Sequence, residues 1–347
     1  MYGLAAVLVV ASATAGYLYG DFFGWWARPT VRDAPSAEPA SVQPIVRGLR
    51  MPFDMAFLPD GSAVVTERES GRLRKVTASG QVTEIRTITD LAHPLQGGLQ
   101  GVAVSPSFQQ DGWIYIFHTT AQDNRVSRLR MDSQDPPTPI VTGITPGVIH
   151  NGGRIRFGPD GMLYVTTGEA DIRSKAQDRN DLGGKILRVT PEGKPAPGNP
   201  VEGSPVYAWG MRDPQGLAWD DKGELYASEF GHHNLDELNH VEPGGNYGWP
   251  EVEGTGGEPD FTDPIATWKP ADASPSGIAF HDGRIWVACL RGERLYRINT
   301  DGSSAEQLLT GKYGRLRQVT PAPDGSLWVL TNGHAAPDYD LILRVTP

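Results

Sequence analysis

The segment Ile149-His150-Asn151-Gly152-Gly153-Arg154 sets an imidazole directly ahead of a glycine pair. Imidazole is the side chain best suited to take up a proton near neutrality, and glycines allow a turn to bring it against a ligand. A structural histidine would satisfy the same pattern. In Trp209-Gly210-Met211-Arg212-Asp213-Pro214-Gln215-Gly216, a sharp loop carries Arg212, whose planar donor fork can meet a carboxylate or a developing oxyanion. A surface ion pair is the plainer alternative.

A third segment runs from Glu229 through Phe230-Gly231-His232-His233-Asn234-Leu235-Asp236-Glu237-Leu238-Asn239, with Gly244-Gly245-Asn246-Tyr247-Gly248-Trp249-Pro250 close behind. Its oxygen donors and carbonyl-exposing glycines suit calcium, although the spacing is not that of an EF-hand loop. A polar loop without metal is the other reading. The adjacent His232 and His233 make a poor zinc site, since neighbouring histidines rarely converge on one ion and no third ligand stands out. Leu95-Gln96-Gly97-Gly98-Leu99-Gln100-Gly101 permits close backbone approach to a ligand, or is a flexible turn; with no helix after it, it is no phosphate loop. In Tyr313-Gly314-Arg315-Leu316-Arg317, two arginines two residues apart on a strand share a face. They can hold a multiply charged anion or simply be solvated.

These segments lie between copies of one hairpin pattern. An apolar stretch, a turn on Asp-Gly or Lys-Gly, and a β-branched or aromatic strand recur at residues 55–67, 102–118, 155–169, 217–229, 278–289 and 319–331. The turn glycines, Gly61, Gly112, Gly161, Gly223, Gly283 and Gly325, are 42 to 62 residues apart, which suits a four-stranded blade with its loops. The pattern predicts an all-β, six-bladed β-propeller over residues 44–347. An open sandwich would not repeat one hairpin at that interval. Pairing of residues 44–48 with 341–345 would close the ring and remove exposed edges.

The composition agrees: 42 glycines and 29 prolines among 347 residues suit a turn-rich β protein better than a helical one. A net charge of −10 without a basic cluster excludes a nucleic-acid partner. The single cysteine, Cys289, excludes an internal disulfide, a Cys-x-x-Cys-His haem site and a multi-cysteine zinc framework, and its apolar neighbours mark it as a buried strand residue. Residues 1–28 combine an uncharged apolar stretch with Phe22-Phe23-Gly24-Trp25-Trp26, and read as either an export signal or an N-terminal membrane anchor. Residues 29–43, rich in proline, alanine and serine, read as a flexible linker.

Taken in order on six blades, these segments resemble the soluble glucose/sorbosone dehydrogenase family, which includes the aldose sugar dehydrogenases that use pyrroloquinoline quinone (PQQ). The resemblance rests on His150-Asn151-Gly152-Gly153 with Gly158-Pro159-Asp160-Gly161, on Arg212 with Pro214-Gln215-Gly216-Leu217, on Asp236-Glu237-Leu238-Asn239, and on Asn246-Tyr247-Gly248-Trp249-Pro250. It implies a periplasmic enzyme that oxidises an aldose or related sugar to its lactone and passes electrons to an external acceptor. His150 would be the general base, with Glu169 orienting it from a position where the family usually has aspartate. Arg212 would stabilise charge on the quinone oxygen.

The resemblance further implies that Gln96, Asp213, Arg291, Arg315 and Arg317 join Arg212 in contacting PQQ, a planar tricarboxylate. Arg291 stands where lysine is common, and Asp213 where asparagine is usual. The carbonyls of Gly231 and His232 would bind a calcium ion bridging to PQQ, and Glu237 and Tyr247 would belong to a second, structural calcium site. Two other functions fit a six-bladed propeller: a calcium-dependent lactone or ester hydrolase, and a non-catalytic binding protein. The arginine set favours the quinone enzyme. Trp268 fits either sugar stacking or ordinary packing.

Overall fold

The computed structural model describes residues 29–92, 95–257, 259–333 and 339–347. They form six four-stranded antiparallel sheets arranged as the blades of a propeller. Five blades are consecutive meanders over residues 52–87, 99–144, 155–209, 214–268 and 275–308. The sixth joins Leu316–Pro321, Leu327–Thr331 and Asp340–Thr346 to the early strand Ser41–Leu49, with Pro44 opposite Leu343 and Arg47 opposite Leu341. The closing pair is the one expected from the sequence, and it satisfies the backbone groups that two free edges would expose.

Each repeated glycine lies between the first two strands of its blade with positive φ, from 65° at Gly112 to 84° at Gly223. That left-handed conformation is the one that glycine enters without a Cβ penalty. In the second blade a short helix, Phe108–Asp111, expands the turn, and Gly112 caps it. Because strands alternate in direction, these turns all lie on one face. The segments between blades, and those between second and third strands, emerge on the other face, where the candidate chemistry is.

The core fills the spaces between blades. Leu238, Ala266 and Trp268 of the fourth blade pack against Ile278, Ile285, Val287 and Cys289 of the fifth, and Ala279 and Trp286 of the fifth against Leu316, Val319 and Val329 of the sixth. Burial of each large apolar side chain contributes about 1.5–3 kcal/mol. Trp268 is fully buried in this packing, which removes it from sugar stacking; Cys289 is buried as expected.

One polar network ties the innermost strands together. Asp54 Oδ1 accepts from Arg154 Nη1 and Arg156 Nη2, both at 2.7 Å, and Oδ2 accepts the Val102 amide at 3.0 Å. Arg154 Nε reaches the Gln215 carbonyl at 2.9 Å, so a single arginine links the first, third and fourth blades. Burial alone would raise the pKa of Asp54, but the two guanidiniums hold it below the ordinary carboxylate range.

The expected linker is a correction. Its residues are laid against the outer strands: the Val31 amide donates to the Thr267 carbonyl, the Ala37 amide donates to the Gln307 carbonyl, the Gln307 amide donates to the Pro35 carbonyl, and Ala34 enters the core. Small residues and prolines, which suit a linker, equally suit an extended strap lying flat on a sheet. The expected signal or anchor at 1–28 lies outside the described residues. Among the described residues no helix is long and apolar enough to cross a membrane.

Candidate active site

All six blades contribute to a cavity of about 330 Å³ at the loop-bearing end of the channel. Phe53 and Arg68 come from the first blade, Gln96 and Gln100 precede or belong to the second, and Asn151 stands ahead of the third. Gln215 and Phe230 belong to the fourth blade, Leu290 to the fifth, and Arg315 and Arg317 to the sixth. Two guanidiniums stand over the Phe53 ring, Arg154 at 4.8 Å and Arg317 at 4.6 Å from its centroid.

Positive charge is concentrated here: Asp54 is already shared by Arg154 and Arg156, and Arg317 has no carboxylate in hydrogen-bond contact. Arg317 is buried, and its Nη1 bonds only neutral groups, Gln215 Oε1 and Ser276 Oγ, each at 3.1 Å. Burial, with Arg68, Arg154 and Arg315 nearby, pushes its pKa well down; burial also lowers that of Arg315. Arg68 reaches Glu69 at 3.2 Å, a carboxylate that faces solvent. Buried N–H groups at Arg68 Nε, Arg154 Nη2 and Arg317 Nε have no partner among the described residues. Desolvated cations with unused donors are costly unless an anion completes them, so the donor set fits a ligand bearing several negative charges.

Beside the cavity, His150 Nδ1 is 2.7 Å from Glu169 Oε1, and Nε2 is 2.8 Å from Arg212 Nη2. A guanidinium only donates, so Nε2 carries the lone pair and Nδ1 carries the hydrogen bonded to Glu169. The carboxylate therefore fixes the tautomer that a general base requires. The His150 backbone is left-handed at φ 56°, and its amide donates to Gln96 Oε1 at 2.8 Å. Gly168 makes this placement possible, because a Cβ there would stand 2.0 Å from the His150 carbonyl oxygen. Asp171, exposed, brings a carboxylate within 4.8 Å of the ligand atoms of His150 and Glu169.

Arg212 Nη1 donates to the carbonyls of Phe230 at 3.1 Å and Gly231 at 2.6 Å, and Nη2 also approaches His232 Nδ1 at 3.4 Å. The loop carrying those carbonyls is shaped by two acids. Asp236 accepts the Gly231 amide at 2.9 Å, and burial raises its pKa to about 6. Glu253 Oε1 accepts the amides of His232, His233, Asn234 and Leu235 at 2.6–3.2 Å. Burial, then the charges of Arg212, His233 and Arg173, lowers the pKa of His232.

Below this loop, Glu229 and Glu237 are buried and share the Asn239 side-chain amide, at 3.5 and 3.2 Å. Burial raises the pKa of Glu237 to about 7 and, with the charge of Glu237, that of Glu229 well above its ordinary value. Asn239 Oδ1 has no partner among the described residues. Two carboxylates gathered out of water are a donor pair that fits a hard divalent cation.

Several expected contacts change in kind. Asp213 is fully buried, with Oδ1 taking the Gly152 amide at 2.9 Å and Gln215 Nε2 at 3.1 Å. It braces the turn behind His150 and has no surface to offer a cofactor; burial raises its pKa. The Tyr247 hydroxyl donates to the His240 carbonyl at 2.7 Å and accepts the Glu242 amide at 2.9 Å, so it is committed to its own loop. Arg291 is exposed and lines a shallow depression with Pro29, His233 and Asn234, outside the cavity, although its charge still adds to the lowering at Arg315. Arg68, Arg154, Asp171 and Glu253 were not expected. Arg68 follows the second strand of its hairpin, as Glu169 and Phe230-Gly231 do in theirs, and that recurrent position is the signal that would have found it.

Fold and site together define a propeller with a ligand cavity on its channel axis, a carboxylate-oriented histidine beside it and an arginine cradle for an anion. Residues 49–342 match the glucose/sorbosone dehydrogenase family model, and the chain belongs to that family. The PQQ-bound aldose sugar dehydrogenase of Streptomyces coelicolor superposes with a TM-score of 0.84 at 46% identity, over 89% of this chain and 99% of that one. Aldose sugar dehydrogenase YliI of Escherichia coli is 26% identical over 93% of this chain and 95% of its own. Quinoprotein glucose dehydrogenase B of Acinetobacter calcoaceticus is 29% identical over 60% of this chain and 52% of its own.

Proposed function

We propose that this chain is a PQQ- and calcium-dependent dehydrogenase that oxidises an aldose or related sugar to its lactone and passes the electrons to an external acceptor after export to the periplasm. The observation that carries the reading is the set of buried arginines, with unused donors, facing one cavity beside an oriented histidine. A lactone or ester hydrolase has no evident need for that set, and a non-catalytic propeller has none for the Glu169–His150 pair.

PQQ, when bound, would supply an electrophilic quinone that takes up the anomeric C–H hydrogen as hydride, with the two electrons of the oxidation. Arg315, Arg317 and Arg68 would hold its carboxylates, and Gln96 lines the cavity while fixing the His150 amide. The sugar's anomeric hydroxyl displaces the Arg212 bond at His150 Nε2 and gives up its proton there; Glu169 then stabilises the imidazolium. Arg212, released from Nε2, turns its donors to the oxygen where negative charge develops. The Gly231 and His232 carbonyls would hold one calcium ion, and Glu237 with Glu229 a second.

Two predictions test the metal reading. Glu253→Ala removes the acceptor that gathers four amides of the carbonyl-bearing loop, and is expected to raise the calcium requirement about tenfold, the usual lower scale for an orienting partner. Amides 232–235 should lose hydrogen-exchange protection in the same variant; unchanged protection and calcium dependence would remove Glu253 from this role. The Glu229–Glu237 pair predicts a pH effect. With folded-state pKa values above their unfolded values, these acids favour the metal-free fold at low pH, and that contribution is lost as pH rises through about 7. A cation between them relieves the loss, so the calcium-induced rise in Tm should be larger at pH 8 than at pH 5. An equal or larger rise at pH 5 would contradict this site. Titrating PQQ into the purified protein tests the cofactor assignment directly: a saturable rise in Tm is expected, and none would count against it.

A further inference from the structure

Five large apolar side chains are exposed among the described residues: Leu95, Val148, Ile172, Val201 and Tyr339. Strand direction assigns each to a face. Leu95 and Val148 lie in connections between blades, and Ile172 and Tyr339 between the second and third strands of theirs, so all four stand on the face where the cavity opens. Val201 lies between the third and fourth strands of its blade and so stands on the opposite face. The first three lie in segments that backbone hydrogen bonds join around His150 and Glu169. The Val148 carbonyl accepts the Gln96 amide, next to Leu95, and the Ile172 amide donates to Glu169, the partner of His150. Exposed apolar side chains singly placed need no explanation, but three in hydrogen-bonded neighbouring segments on one face suit an interaction surface.

The course of the chain selects the partner. Pro29, the first described residue, lines a depression with His233, Asn234 and Arg291, all in loops of the cavity face. The residues ahead of it include a stretch from Tyr2 to Gly20 without one charge, then Phe22, Phe23, Trp25 and Trp26. An uncharged apolar stretch followed by aromatic residues is the composition of a bilayer segment with an interfacial belt. We propose that the cavity face is a membrane-docking face: residues 1–28 anchor the chain to a phospholipid bilayer, and Leu95, Val148 and Ile172 dip into its interface, so that the active-site mouth opens toward the lipid surface. A bilayer segment holds the chain at the membrane by itself, so the apolar side chains act by setting which face of the tethered propeller meets the lipid.

The one native cysteine is fully buried, so a thiol placed at the surface can be labelled selectively. Val148→Cys, Ile172→Cys and Val201→Cys in the full chain, each carrying an environment-sensitive fluorophore, are compared on phosphatidylethanolamine/phosphatidylglycerol vesicles containing a shallow spin-labelled quencher lipid. Labels at 148 and 172 should shift to shorter wavelength and be quenched, while the label at 201 stays in water. Three results overturn the proposal: equal quenching at 148, 172 and 201; a chain that does not float with vesicles; or shifts at 148 and 172 that follow protein concentration without lipid, which would make the face a contact between copies. None of these readouts depends on PQQ or on turnover.

Discussion

His150→Ala should lower turnover by on the order of 100-fold or more, the scale of a lost general base, while PQQ binding is largely retained. The division follows from the geometry. His150 meets Glu169 and Arg212 through its ring but reaches Gln96 only through its backbone amide, which alanine keeps. Activity of Glu169→Gln should fall as well, since an amide can present its NH₂ to Nδ1 and drive the ring into the tautomer whose Nε2 is protonated. Unchanged turnover in His150→Ala, measured at saturating PQQ and sugar, would remove the imidazole from the chemistry.

Arg317→Met should weaken PQQ binding by on the order of 100-fold, because truncating one partner of a buried charge pair costs about 2–5 kcal/mol. The same substitution takes away a cation that burial and three neighbouring arginines already disfavour. The PQQ-free protein should therefore keep its Tm, while the rise in Tm on adding PQQ is lost. A drop in the Tm of the PQQ-free protein, with PQQ affinity unchanged, would make Arg317 a packing residue and place the anion elsewhere.

Architecture was readable because one local rule repeats. A tight turn demands a glycine at positive φ, and six such glycines at blade-sized spacing leave few alternatives to a closed ring. That His150 and Arg212 come together was readable through the family motifs that carry them. What escaped was whatever depends on which way a side chain faces after closure. Asp213 is adjacent to Arg212, yet successive residues at the start of a strand point to opposite sides, so one enters the site and the other is sealed behind it. Arg68 carries no distinctive neighbours, and Arg154, although it ends the segment of His150, meets Phe53 and Asp54 only because the ring brings the first and third blades to the same axis. The strap at 29–40 escaped because composition reports the flexibility of an isolated segment and is silent about a surface it can lie on.

The central claim is that the arginine cradle and His150 form a quinone-dependent sugar-oxidising site. The most direct measurement reconstitutes the purified protein with PQQ and calcium and follows reduction of an artificial electron-acceptor dye with a panel of aldoses. The account predicts dye reduction that requires both PQQ and a sugar and that is lost in His150→Ala. Folded protein that takes up PQQ yet reduces no dye with any aldose would contradict it.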